Sequence, residues 1–178
     1  GGALMGDAVP PVNENSVPRP ISPYGASKLA CEAYLSAASV CWGLPATILR
    51  FGNVYGEHSL HKSGLINQIF SSLINGSPLT VYGDGLATRD FIHVSDITRA
   101  IHLALVRSPH PFNTYHISSG VETSVNALLD LSQQISDMRL AIETSDRRAG
   151  EVVRNFSSFA LARDQLGFYP QVSLEEGL

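Results

Sequence analysis

Residues 24–42 contain no proline and are filled with alanine, leucine and other helix-tolerant residues, which predicts a helix. Ser22-Pro23 ahead of it is a start signal, because proline fits the first helical turn, and Gly43 is a stop. The apolar run 45–51 reads as a buried strand. Residues 65–74 form a second predicted helix, closed by Asn75-Gly76, and 79–82 a short strand before the turn Gly83-Asp84-Gly85. A strand at 91–94 follows, and Ser95 or Asp96 is placed to cap a helix running to Arg107. Further on come a strand at 114–118, an amphipathic helix at 124–138, a strand at 140–143 and a helix at 156–166 stopped by Gly167. Ser173-Leu174-Glu175-Glu176 has the capping-box pattern. This alternation predicts an α/β fold with parallel strand pairing.

Two long loops interrupt the pattern. Residues 7–23 carry five prolines, and 52–64 separate the first predicted strand from the second helix. Loops of that length in a compact domain are usually functional. The first six residues read as the end of a strand, and the last capping box opens a helix just before the sequence stops. The chain therefore reads as a piece of a longer protein.

A length of 178 residues suffices for a hydrophobic core. The net charge of -4 gives no reason to expect nucleic acid or an acidic membrane as a partner. No segment reaches the ~18 apolar residues of a membrane span, so a cytoplasmic protein is the default. Ten arginines against two lysines, Lys28 and Lys62, leave room for phosphate recognition as well as for plain compositional bias. Cys31 and Cys41 fit no zinc or redox spacing and lie in the alanine-rich helical stretch, where buried free thiols are expected.

Tyr24 and Lys28 are four residues apart, hence on one face of the predicted helix. A phenol titrates near 10, too high for a base at neutral pH. A cation beside it favours phenolate, and such a tyrosine can take a proton from a sugar hydroxyl. The pair alone is equally compatible with a surface tyrosine beside a solvated lysine.

Its surroundings are more specific. Ser22-Pro23-Tyr24-Gly25-Ala26-Ser27-Lys28, Leu49-Arg50-Phe51-Gly52-Asn53-Val54-Tyr55-Gly56 and Tyr82-Gly83-Asp84-Gly85-Leu86-Ala87-Thr88-Arg89-Asp90-Phe91-Ile92-His93-Val94 follow in order. Together they resemble the extended short-chain dehydrogenase/reductase family, and within it the NAD-dependent nucleotide-sugar epimerases and dehydratases of the UDP-glucose 4-epimerase type. The resemblance covers nearly the whole chain. It implies the C-terminal part of a Rossmann-like doubly wound sheet, plus a smaller α/β substrate-binding region. Residues 1–56 would end the Rossmann-like core, and 57–178 would hold most of the substrate region with core elements interleaved. It implies NAD as cofactor, a UDP-linked sugar as substrate, inversion at C4 through a transient 4-keto sugar, and a homodimer formed through the helix of Tyr24 and Lys28.

The same resemblance implies roles for single residues. Tyr24 is the catalytic base and acid. Lys28 holds the nicotinamide ribose and tunes Tyr24, and Phe51 lies close to the nicotinamide. Asn53 reaches the sugar nucleotide. Leu65 and Ile66 present helix-start amides toward phosphate. Val81 and Tyr82 pack round the nucleobase, Arg89 and Arg148 grip the diphosphate, and Glu151 contacts a ribose. Asn155 lines the sugar pocket; with the register shifted by one, Arg154 or Phe156 would take that place and Asn155 would be an ordinary loop residue. Asn53 is also readable as a turn residue, Tyr82 as a core aromatic, and Arg89 as the ion-pair partner of Asp90 or Asp84. Glu57, His58 and His61 fit no standard metal pattern, and His93 reads as a satisfied core histidine.

The sequence also departs from the family. It has no Gly-x-x-Gly-x-x-Gly turn to cradle a pyrophosphate and no acidic residue after a second strand, so the N-terminal nucleotide-binding half is absent from it. The family's catalytic Ser or Thr falls at or before Gly1, and Met5 stands where tyrosine is frequent. Dehydratases of the family carry an Asp-Glu pair where Gly2 and Ala3 stand here. Open alternatives are therefore a reductase, decarboxylase or dehydratase of the same family, or a truncated homologue that binds sugar nucleotide without turnover.

Overall fold

The computed structural model describes residues 2–59, 62–109 and 111–178. It opens on a short helix, α1 (Gly2–Met5), where the sequence suggested the end of a strand. The helical turn forms because Leu4 and Met5 both bury themselves against Val12 and Leu29, which a strand would not allow. The loop that follows leads to α2 (Pro23–Trp42). Its start is as expected: the Ser22 hydroxyl accepts from the Gly25 amide, and Gly43 ends the helix in the left-handed region at φ 65. Gly25 is required where it stands. A Cβ there would collide with the Ala3 carbonyl, so α1 and α2 touch backbone to backbone.

β1 (Ala46–Phe51) and β2 (Asn53–Tyr55) follow, the second inside what the sequence presented as loop. Then come α3 (Leu65–Asn75), β3 (Leu79–Tyr82), β4 (Thr88–Arg89), β5 (Phe91–His93) and α4 (Val94–Arg107). The cap of α4 is neither Ser95 nor Asp96. The Ser95 amide donates to the His93 ring, so half-buried His93 is the cap rather than a core residue. Asp96 is fully buried for another reason. Its carboxylate accepts from the amides of Gln171 and Val172 and pairs with Arg99, tying α4 to the C-terminal segment.

The chain is completed by β6 (Phe112–Ile117), β7 (Thr123–Ser124), α5 (Val125–Ser136), β8 (Ile142–Ser145), α6 (Ala160–Leu166) and α7 (Leu174–Gly177). α6 starts four residues later than its sequence suggests. Residues 156–158 instead bond outward: Phe156 and Ser158 exchange backbone bonds with Val12, and the Ser157 amide donates to Asp90. The capping box of Ser173 and Glu176 is formed as expected.

Among the described residues the strands make four two-stranded ladders. β1–β6, β2–β5 and β3–β8 are parallel, as predicted, while β4–β7 is antiparallel. One core cluster lies between α3, α5 and β3, around Ile69, Leu73 and Leu128. A second joins α4, α6 and β6, around Ile92, Tyr115, Ile117 and Phe168. β1 is only half-buried at every position, short of the buried strand expected, because β6 alone pairs with it here. α2 buries only Gly25 and Ala38, so Cys31 and Cys41 are exposed thiols, not buried ones. Among the described residues no helix is long and apolar enough to cross a membrane.

Candidate active site

α2 carries Tyr24 and Lys28 on one face, and the Lys28 ammonium lies 5.3 Å from the centre of the Tyr24 ring. Tyr24 is 64% exposed, so its hydroxyl is accessible to a ligand. Both side chains border a cavity of about 790 Å³ between α1, α2 and the end of β1. The same cavity is lined by Phe51, Asn53, Arg89, Glu151 and Asn155. Residues chosen from four separate stretches of sequence therefore meet in one hollow.

Arg89 is anchored there, though not by Asp90 or Asp84. Its guanidinium donates to Glu151 Oε1 at 2.8 Å and to the carbonyls of Thr88 and Val152. Burial pulls its pKa below the usual arginine value, and Glu151 partly restores it. Glu151 Oε2 is buried and has no hydrogen-bond partner among the described residues. Asp90 serves the scaffold instead: it takes the amides of Ser119, Gly120 and Ser157, and burial raises its pKa. Asp84 faces Arg147.

The remaining predicted residues lie elsewhere. Leu65 and Ile66 border a second hollow of about 480 Å³, which shares Asn53 with the first. Gly64 starts α3 with no side-chain cap, and the Ile66 side chain belongs to the core, so what Ile66 can offer there is its amide. The Val81 side chain is likewise in the core. Tyr82 is half-buried under Arg148, whose guanidinium lies 3.7 Å from the ring centre. Val81, Tyr82 and Arg148 line neither hollow.

Three residues that sequence reasoning passed over belong here: Glu32 and Arg50 line the cavity, and His116 stands behind Arg50. Glu32 takes two bonds from Arg50, at 2.9 and 2.7 Å, and Arg50 Nη1 faces His116 Nε2 at 3.3 Å. Fully buried His116 is held neutral, its pKa pushed down to about 3 by burial and by the Arg50 charge. Glu32 follows Lys28 by four residues on the same helix, a spacing that could have found it. His58 has a positive φ of 63 in its loop, while His61 lies outside the described residues. Among the described residues no group of three or more His, Cys, Asp or Glu is placed to hold a metal ion.

The sequence pattern of the NAD-dependent epimerase/dehydratase family matches residues 2–117. A dTDP-L-rhamnose 4-epimerase of Burkholderia thailandensis is 37% identical over 172 residues, covering 93% of this chain and 46% of that protein. A UDP-glucose 4-epimerase of Thermotoga maritima, solved with UDP-glucose, superposes with a TM-score of 0.92 at 34% identity, over 99% of this chain and 58% of that one. The UDP-glucose 4-epimerase of Thermus thermophilus, solved with NAD, gives 0.91 at 30% identity, over 99% and 58%. The chain thus spans about half the length of the relatives it matches. With a family pattern over most of its length and a shared fold over nearly all of it, the chain belongs to the NAD-dependent epimerase/dehydratase family.

Proposed function

We propose that this chain is the substrate-side part of an NAD-dependent nucleotide-sugar epimerase that inverts C4 of a UDP-linked hexose. The observation that carries this reading is the single cavity shared by Tyr24, Lys28, Phe51, Arg89 and Glu151. Tyr24 takes the proton from the sugar hydroxyl and gives it back, acting as base and then acid. Lys28 sets its positive charge beside that ring, 5.3 Å from its centre. Arg89 and Arg148 bind diphosphate oxygens, and the unpartnered Glu151 oxygen accepts from a ribose hydroxyl. Asn53, with the amides of Leu65 and Ile66, extends the site into the second hollow and toward the nucleotide, and the base reaches Val81 and Tyr82 outside both hollows.

The residues present fit the nicotinamide end of NAD. A phenol and an ammonium, the latter with no ion pair among the described residues, border the same hollow as Phe51. Bound there, NAD would supply the hydride acceptor and donor for the sugar carbon, while Tyr24 moves the hydroxyl proton. α2 is also the surface we assign to a homodimer, because Tyr34, Val40 and Trp42 are each more than three-quarters exposed along it.

One observation favours epimerisation over dehydration. Loss of water needs an acid and a base beside the sugar, and Gly2 and Ala3 border the cavity where dehydratases carry Asp and Glu. A side chain at position 2 would overlap the Asn155 amide. The test is a chimera in which this chain replaces the matching part of a UDP-glucose 4-epimerase. It is expected to epimerise UDP-glucose, and Tyr24→Phe to lower turnover by about 10² to 10⁴. A folded chimera that binds NAD and UDP-glucose yet yields no epimer, or yields a product lighter by one water, would refute the reading.

A further inference from the structure

Lys28 and Glu32 are one turn apart on α2, the spacing at which a lysine and a glutamate pair across a helix face. They are not paired. Glu32 is held instead by Arg50 through Nε and Nη2, two bonds at 2.9 and 2.7 Å, with the two side chains 15% and 9% exposed. The Lys28 ammonium stays over the Tyr24 ring. Arg50 itself is fixed from behind. Its Nη1 meets the Nε2 of His116, its direct cross-strand partner in the β1–β6 ladder, and approaches Met5 Sδ at 3.9 Å. Because His116 is neutral, its Nε2 lone pair can take the Arg50 N–H without adding a competing charge. Both ends of the guanidinium fork are therefore occupied, and the strand register sets where the fork points.

We propose that Arg50 is a positioning residue that withholds Glu32 from Lys28, so that the cation remains with Tyr24. A bidentate, mostly buried pair outcompetes an exposed pair across a helix turn, which water and salt screen. Without Arg50, the Glu32 carboxylate would have Lys28 as its nearest cation on α2. The proposal rests on the assignment of Lys28 to Tyr24 made above.

The two lysines make the test direct, because selective 15N labelling gives two ammonium signals, and Lys28→Gln removes one and so assigns both. In the unaltered chain the Lys28 side chain is expected to carry a ring-current shift that Tyr24→Leu abolishes. In Arg50→Met that shift is expected to vanish, the ammonium protons to exchange more slowly, and a coupling to the Glu32 carboxyl carbon to appear. The double variant Arg50→Met/Glu32→Gln is expected to restore the original Lys28 signal. If the double variant resembles Arg50→Met, Arg50 only braces β1 against α2 and the proposal falls; an unmoved Lys28 signal in Arg50→Met overturns it as well. Should Arg50→Met not fold, Arg50→Gln replaces it: the side chain stays polar but carries no charge to hold Glu32, and an unmoved Lys28 signal there has the same meaning. In the chimera described above, unchanged turnover in Lys28→Gln would remove Lys28 from catalysis while leaving the spectroscopic result, so the two readings fail separately.

Discussion

The guanidinium of Arg148 lies over the ring of Tyr82, 3.7 Å from its centre, on an exposed stretch of chain. Arg89 is held quite differently, by Glu151 and two carbonyls beside the cavity. Substituting either by alanine is expected to weaken UDP binding, by about 1.5–3 kcal/mol for lost charge-assisted bonds. Only Arg89→Ala should also destabilise the fold, by about 1–3 kcal/mol, because it strands the Glu151 carboxylate. Calorimetry with UDP and urea unfolding separate the two effects. UDP affinity that survives both substitutions would remove the arginines from the nucleotide site.

The chain alone is not expected to hold NAD. In the proposed reading Tyr24, Lys28 and Phe51 contact only one end of the dinucleotide, and the sequence has no glycine-rich turn for the pyrophosphate. Titration calorimetry should show no binding tighter than about millimolar. Micromolar affinity would mean that this portion builds a pyrophosphate cradle of another kind.

Asn155 faces the cavity beside Gly2. If the sugar lies there as proposed, asparagine, much smaller than tyrosine, would leave room for an acetamido group at C2. In the chimera, UDP-glucose and UDP-N-acetylglucosamine are both expected to be epimerised, and Asn155→Tyr to abolish only the second activity. Equal loss of both, or of neither, takes Asn155 out of the pocket.

His116 makes stability depend on pH. The unfolded chain binds its proton near pH 6.5, the native protein only near 3. Between those values the unfolded state carries more protons, so stability falls as pH is lowered from about 6.5, by at most ~1.4 kcal/mol per unit for this group. Urea unfolding from neutral pH to about pH 5 should show that slope, and His116→Gln should flatten it. Identical slopes would show that His116 does not take up a proton on unfolding.

Much of this was legible in the sequence, for identifiable reasons. The ends of α2 were read from Ser22 and Gly43, because a capping hydroxyl and a left-handed glycine act within a few residues. β2, β4 and β7 were missed, since two or three residues cannot display a period and only their partners make them strands. The α4 cap was misplaced because Asp96, a good cap by type, is drawn inward by the amides of Gln171 and Val172, some 75 residues away. The alternative ion-pair partners of Arg89, Asp90 and Asp84, are not the ones it meets, as Glu151 approaches it only through tertiary folding. The exposed thiols of α2 show the converse limit. An apolar helix reads as buried, but what covers it does not lie on the helix itself.

Trp42, the single tryptophan, ends α2 with 81% of its surface in water. The molecule thus has a built-in optical reporter, emitting as a hydrated indole until something lies along that part of the helix. A second subunit, or a nucleotide-binding unit supplied in trans, would shield the ring and shift its emission to the blue. Tyr24 is 18 residues back along the same helix, about five turns or 27 Å. Sugar binding at that end should leave the signal unchanged, so label-free fluorescence can distinguish assembly on α2 from occupancy of its cavity.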